Sequence, residues 1–277
     1  MTRGTVWLAS YPKSGNTWLR AVYTALRVGQ RLDINDLDGG NIACSRELFD
    51  GLLGIRSSDL TPDEAEVLRP RVDELVAASS AEDFWRKVHD GLYPGPAGEL
   101  IVSVEVTRIA LYLVRDPRDV ALSLARHFGL PALVAVEMMG CDQMAINESS
   151  RSLPTHLRQR LGSWSQHVRS WTDQCAFPVH VVRYEDCASD PVPTFREAFR
   201  QAGLDVAARA VEDAVEASAI ARLRDQERRE GFKEYTVPGR AFFGRGTPGS
   251  WKKELPTALA RRIEHDHGEV MARYGYL

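Results

Sequence analysis

Short unbroken apolar runs alternate along this chain with longer stretches of amphipathic spacing, and that alternation predicts its elements. Residues 5–10 (T-V-W-L-A-S) read as a buried strand and residues 17–27 as the helix after it. Thr61-Pro62-Asp63-Glu64 marks a helix start. Thr61 is the N-cap, Pro62 takes the first helical position and Glu64 completes a capping box, with the helix running towards residue 79. Residues 86–89 read as a strand end before a turn with Gly91, Pro94, Gly95 and Pro96. The run I-A-L-Y-L-V at 109–114 is apolar throughout, as in a strand covered on both faces. Pro117 opens a helix to about Phe128, and helical spacing recurs over 157–171, 194–202, 207–217 and 256–274, with a further strand at 179–182. The stretch 231–249 is rich in glycine and aromatics without a period, and reads as a functional loop. Strand alternating with helix predicts an α/β fold: a single domain over residues 1–277, with a central parallel sheet flanked by helices. Ligands of such a sheet bind beyond the carboxyl ends of its strands.

Composition narrows the partners. A formal charge of -3 supplies no global basic field for nucleic acid or a membrane surface, so a polyanion must be held by local cations. Cys44, Cys141, Cys175 and Cys187 are scattered without a C-x-x-C pair and read as reduced thiols. The apolar run 6–9 is too short for a signal peptide, and no stretch approaches the ~20 residues of a membrane span. A cytoplasmic protein is expected.

After the first strand comes Tyr11-Pro12-Lys13-Ser14-Gly15-Asn16-Thr17-Trp18. A strand feeding a glycine turn and a helix aims backbone N–H groups at an anion, in the manner of a P-loop. A Walker motif places lysine directly after its last glycine; here Lys13 precedes Gly15, so that reading fails. Further on, Leu113-Val114-Arg115-Asp116-Pro117-Arg118-Asp119-Val120 sets a guanidinium at a strand end, where it can grip a phosphate or pair with Asp116 or Asp119. Ser123 lies within reach of the same place.

The run Y-P-K-S-G-N-T-W resembles the 5′-phosphosulfate loop of sulfotransferases that use 3′-phosphoadenosine-5′-phosphosulfate (PAPS). The resemblance implies that Lys13 contacts the transferring group, that Ser14, Gly15, Asn16 and Thr17 cradle the 5′-phosphate, and that Trp18 stacks on adenine. V-R-D-P-R-D-V-A-L-S is similar to the family's 3′-phosphate motif and assigns that group to Arg115 and Ser123. Tyr184-Glu185-Asp186 resembles a segment whose tyrosine meets adenine; a core tyrosine is the alternative. Ser218, Ile220 and Leu223 match a weaker adenine-lining pattern, for which plain packing is preferred. Gly244-Arg245-Gly246-Thr247-Pro248-Gly249-Ser250-Trp251-Lys252 resembles the loop that closes over the 3′-phosphate, with glycine at 244 where the family has arginine. Arg245, or Arg240 upstream, would supply the guanidinium, and Gly246 a backbone N–H.

Lys87-Val88-His89-Asp90 resembles the family's catalytic K-x-H element, which implies His89 as general base and Lys87 as a cation steadying the sulfuryl oxygens. The alternative is a surface histidine beside Asp90. His127 is a candidate for the rim of an acceptor pocket, His167 reads as packing between Trp164 and Trp171, and His265 and His267 as solvated face. The implied reaction is in-line transfer to a hydroxyl of a small acceptor, releasing adenosine 3′,5′-bisphosphate, with no metal. Segments 28–83 and 128–160 carry no motif and would build the acceptor pocket, with the apolar 130–139 set and Phe242 and Phe243 as lining or packing. V-R-S-W-T-D and G-S-W are reminiscent of bacterial antibiotic-tailoring members. A homodimer is left open by a partial dimerisation pattern at 253–262. Two rivals remain: a nucleotide kinase-like phosphotransferase with Asp116 holding Mg²⁺, and a non-catalytic binder of adenosine bisphosphate.

Overall fold

In a computed structural model, which describes residues 4–38, 42–80, 82–148, 152–173, 175–235, 240–244 and 246–277, four parallel strands form the central sheet. They are β1 (Thr5–Ser10), β2 (Phe84–Val88), β3 (Thr107–Val114) and, last in the chain, β6 (Val179–Arg183). A separate antiparallel ribbon joins β4 (Ala145–Ile146) to β5 (Gln159–Arg160). The helices are α1 (Asn16–Val28), α2 (Arg46–Leu53), α3 (Pro62–Ser79), α4 (Pro117–Phe128), α5 (Ala132–Gly140), α6 (Trp164–Thr172), α7 (Tyr184–Ser189), α8 (Pro191–Gln201), α9 (Ala208–Ala217), α10 (Ile220–Glu230), α11 (Trp251–Glu254) and α12 (Thr257–Arg273).

The strand order is β2-β1-β3-β6. The chain moves outward from β1 to β2 on one side, then restarts at β3 on the other. Loops leaving β1 and β3 therefore diverge, and the crevice between their carboxyl ends is the switch point where an open α/β sheet binds ligands. Ser10 and Val114 end these two strands, which puts the Lys13 turn and Arg115 side by side.

Every residue of β1 is buried, as the absence of a polar alternation predicts for a strand with helices on both faces. One face packs Trp7, Ala110 and Tyr112 against Trp164, Val168 and Trp171 of α6 and Ile263 and Val270 of α12. The other packs Val6, Leu8 and Leu111 against Leu19 and Val22 of α1 and Phe195 and Phe199 of α8. The capping box at Thr61 forms as read, with Thr61 accepting from the Glu64 N–H.

Some expectations shift. The strand read at 86–89 spans Phe84–Val88 and stops one residue before the histidine. The helix read over 157–171 begins only at Trp164, capped by Ser163, because 159–160 pair as β5. His267 is not solvated: it is 3% exposed, 2.9 Å from Ser165 Oγ and edge-on to Trp164. Its helix is acidic on one side only, and charge along the sequence concealed the buried stripe. His265 is exposed as expected. Of the 130–139 set, Met139 is core and Leu133 is exposed; neither faces the cavity described below. No single helix among the described residues is long and apolar enough to cross a membrane.

Candidate active site

The switch-point crevice is a cavity of about 340 Å³. Its floor is the turn between β1 and α1. Gly15 caps α1 with φ 104, and no side chain caps the first amides, so they remain directed at the crevice. A Cβ on Gly15 would lie 2.5 Å from Tyr184 Cδ2, so close packing as well as φ demands glycine here. Asn16 staples the turn back to the strand by donating from Nδ2 to the Leu8 carbonyl (2.8 Å). Thr17 and Trp18 line the cavity; Ser14 is buried beside it, with its Oγ lacking a partner.

The separated sequence motifs are cross-braced. Arg115 donates to the Lys13 carbonyl (3.1 Å) and lies 4.3 Å above the Tyr184 ring. The ion pairs considered for Arg115 do not form: Asp116 is gripped by Arg118, and Asp119 accepts from the Gly249 (2.6 Å) and Trp251 (2.9 Å) amides. Glu185 accepts from the Asp116 N–H (3.0 Å), and Tyr184 donates to the Gly246 carbonyl (2.7 Å). The Y-E-D segment thus ties the Arg115 corner to the carboxyl-terminal loop, and Tyr184 both packs and faces the cavity. Ser123, one turn into α4 beyond Val120, also lines it. Arg245 lies outside the described residues; Arg240 donates to the Arg126 carbonyl (3.2 Å). Ser218 and Leu223 are packed as expected, while Ile220 reaches the cavity.

Lys13, Lys87 and His89 line the same cavity as Arg115. Lys13 Nζ lies 3.7 Å from the Phe242 ring centre and 3.4 Å from His127 Nδ1. Burial, then the charges of Lys87 and Arg115, lower its pKa to about 7. His89 Nδ1 donates to the Ser10 carbonyl (2.9 Å), which fixes the tautomer and leaves Nε2 with its lone pair. Burial and then Lys87 push His89 well below the usual imidazole value, so it is neutral at pH 7. Asp90 does not serve His89; Arg69 grips both its carboxylate oxygens. From α6, His167 Nε2 lies 3.0 Å from the His89 carbonyl and Trp171 donates to that of Asp90 (2.9 Å), so the backbone beyond the histidine is clamped.

Sequence reasoning missed several lining residues. Glu234 pairs with Lys87 (3.1 Å). Ile42 from segment 28–83, and Ile146, Asn147, His156 and Gln159 from segment 128–160, form the remaining wall, together with His127 and Phe128. No local motif announces them, although 231–249 already stood out as a functional loop. Phe242 and Phe243 both line the cavity and both pack on Phe232, and Phe242 also covers Lys13. A larger cavity of about 940 Å³ lies behind the β4–β5 ribbon, lined by Ala145 and Arg160, by Arg169, Ser170 and Asp173 of the V-R-S-W-T-D stretch, and by none of the candidate donor-binding or catalytic residues. Among the described residues, no group of three His, Cys, Asp or Glu is placed to hold a metal ion.

The sulfotransferase domain family matches residues 3–275, nearly the whole chain. The chain belongs to that family. Among solved structures, this sulfotransferase-family chain is similar to retinol dehydratase in complex with androsterone and the inactive cofactor PAP, at 18% identity and a TM-score of 0.60, covering 96% of this chain and 80% of that one. It is similar to mouse sulfotransferase SULT7A1 complexed with PAP at 17% identity and a TM-score of 0.60, covering 97% and 85%. At these identities the likeness shows a shared sulfotransferase fold.

Proposed function

We propose that this chain transfers a sulfuryl group from PAPS to a hydroxyl of a small acceptor. The observation that carries the proposal is the convergence, on one crevice, of an uncapped helix start, three cations from separate segments and an imidazole whose free nitrogen is Nε2. Buried polar atoms without partners, Ser14 Oγ, Trp18 Nε1 and Arg115 Nε, fit a nucleotide bearing two phosphates. PAPS supplies an activated sulfuryl group on its 5′-phosphate. Arg115, Ser123 and the Gly246 amide hold the 3′-phosphate, and the 13–17 turn the 5′ end. Trp18 and Tyr184 line the adenine side. His89 Nε2 takes the acceptor's proton, while Lys13 and Lys87 offset charge on the sulfuryl and leaving oxygens. On this reading the enzyme is cytoplasmic, metal-independent and built as one unit, with 28–83 and 128–160 supplying the acceptor wall. The kinase reading is disfavoured because Asp116 is spent on Arg118.

The test is incubation with PAPS and a panel of hydroxylated compounds, including glycosylated and phenolic natural products, read by mass spectrometry for a gain of SO₃. His89→Ala should lose turnover by about 10²–10⁴-fold while binding adenosine 3′,5′-bisphosphate within about threefold of wild type. A wild type that binds the nucleotide but sulfates nothing would favour the non-catalytic reading.

A further inference from the structure

Glu234 belongs to none of the motifs, yet it touches the cation nearest the proposed base. Its carboxylate faces two ways. Toward the core it meets Arg20 of α1, whose side chain is 1% exposed, through both oxygens (3.0 and 2.7 Å). Toward the cavity it meets Lys87 Nζ at 3.1 Å. A carboxylate held by a forked guanidinium has little rotational freedom, so its second contact is directional.

The backbone that delivers Glu234 is itself built for the purpose. Asn35 grips it just ahead of Glu234, accepting from the Lys233 N–H (2.7 Å) and donating to the Gly231 carbonyl (3.2 Å). Phe232 is buried, and the Tyr235 hydroxyl donates to the His127 carbonyl (2.8 Å). On the other side, the Lys87 backbone is fixed between β1 and the 42–43 segment, where Ala43 donates to its carbonyl (2.8 Å). Two fixed backbones and one fixed acid leave Lys87 with one favoured reach.

We propose that Glu234, anchored by Arg20, is the positioning residue for Lys87, holding its ammonium charged and aimed at the transferring group. The inference rests on the sulfuryl-transfer reading for its purpose, but not for its geometry. Without Glu234, Lys87 would face Arg20, Lys13 and the imidazoles of His89, His127 and His156, with the buried Cys44 thiol as its other titratable neighbour. Burial already lowers the Lys87 pKa, and the Glu234 charge opposes that fall. Glu234 itself resists the upward pull of burial and is held at about 2 by Lys87 and Arg20. It is therefore a fixed charge and too weak a base to take the acceptor's proton.

The experiment is competitive acetylation of the full chain across pH, with the Lys87 peptide quantified by mass spectrometry, in wild type and Glu234→Gln. No donor or acceptor is present, so the measurement is independent of what the chain transfers. The Lys87 pKa should fall by at least about 1 in Glu234→Gln, and the basic limb of the pH–rate profile should move down with it. Nucleotide affinity should stay within about threefold. Should Glu234→Gln fail to fold, Glu234→Asp, which keeps the charge one methylene further off, should give a smaller fall. An unchanged Lys87 pKa in the variant that folds overturns the proposal. Failure of the donor reading appears separately, as absence of PAPS binding in wild type.

Discussion

Gly15→Ala tests whether the phosphate turn and the Tyr184 corner are one mechanical unit. Two costs follow from the structure. An alanine at φ 104 is strained by about 1–3 kcal/mol. Its Cβ also lands 2.5 Å from the Tyr184 ring, which must move because the glycine backbone is fixed by the start of α1. Moving the ring loosens the 2.7 Å bond to Gly246, about 1 kcal/mol, and the stack under Arg115, about 0.5–2 kcal/mol. The total is about 2.5–6 kcal/mol, divided between stability and ligand affinity. Calorimetric titration with adenosine 3′,5′-bisphosphate should show at least about a tenfold loss, the equivalent of about 1.4 kcal/mol. Thermal unfolding should fall by several degrees. A cycle with Tyr184→Ala separates the terms: removing the ring relieves the clash but not the φ strain, so a coupling of about 1.5–3 kcal/mol is expected. Additivity within about 0.5 kcal/mol, or wild-type affinity in Gly15→Ala, refutes the argument.

Three further outcomes follow. Lys13, lowered to about 7, should take up a proton when an anion binds beside it; titrations near pH 7.5 in buffers of different ionisation enthalpy should show that uptake, and Lys13→Met should abolish it. Asp119→Asn turns an amide N–H toward one of the Gly249 and Trp251 donors, so it should cost about 1–3 kcal/mol and quicken hydrogen exchange at both amides. The buried His167 and His267 sit at about 4 when folded against about 6.5 unfolded, so the unfolded chain binds more protons between those values. Stability is therefore full above pH 6.5 and is lost as pH falls towards 4, by up to about 3 kcal/mol per pH unit for the pair. Urea unfolding between pH 7 and 5 checks this, and His267→Gln should remove its own share of the slope, about 1.4 kcal/mol per pH unit.

What the sequence reveals is what the chain's local order controls. The β1 turn, the Arg115 corner and the K-x-H strand end each lie within a few residues of a strand terminus, and the sheet order alone brings them together. The outer wall obeys no such rule. Ile146 and Gln159 face the crevice because a two-residue ribbon pairs 145–146 with 159–160, and a pairing so short carries no period. His267 was misplaced because Ser165 satisfies its ring from another helix, a partner 102 positions away that charge counting along α12 cannot reveal. Arg115 was open between a ligand and an ion pair, and only the structure shows both neighbouring acids engaged elsewhere.

The same acids explain how one crevice tolerates its cations. Asp116 and Asp119, which follow Arg115 in sequence, turn away to Arg118 and to the Gly249 and Trp251 amides, so the guanidinium is left with a carbonyl and an aromatic face. Lys13 likewise has an aromatic ring and an imidazole in contact, and among the described residues makes no ion pair. Carboxylates at these places would make the folded chain more stable and the crevice useless, because an incoming phosphate would have to displace them. Among these three, Glu234 stands as the exception at Lys87, while Arg126 at the same cavity pairs with Glu254; the difference is intelligible if Lys87 must be charged and aimed before the donor arrives, whereas Lys13 and Arg115 gain their partners from it. In the proposed reaction the distribution of acids, one retained and two diverted, separates the cation held ready beforehand from the two whose partner is the donor itself.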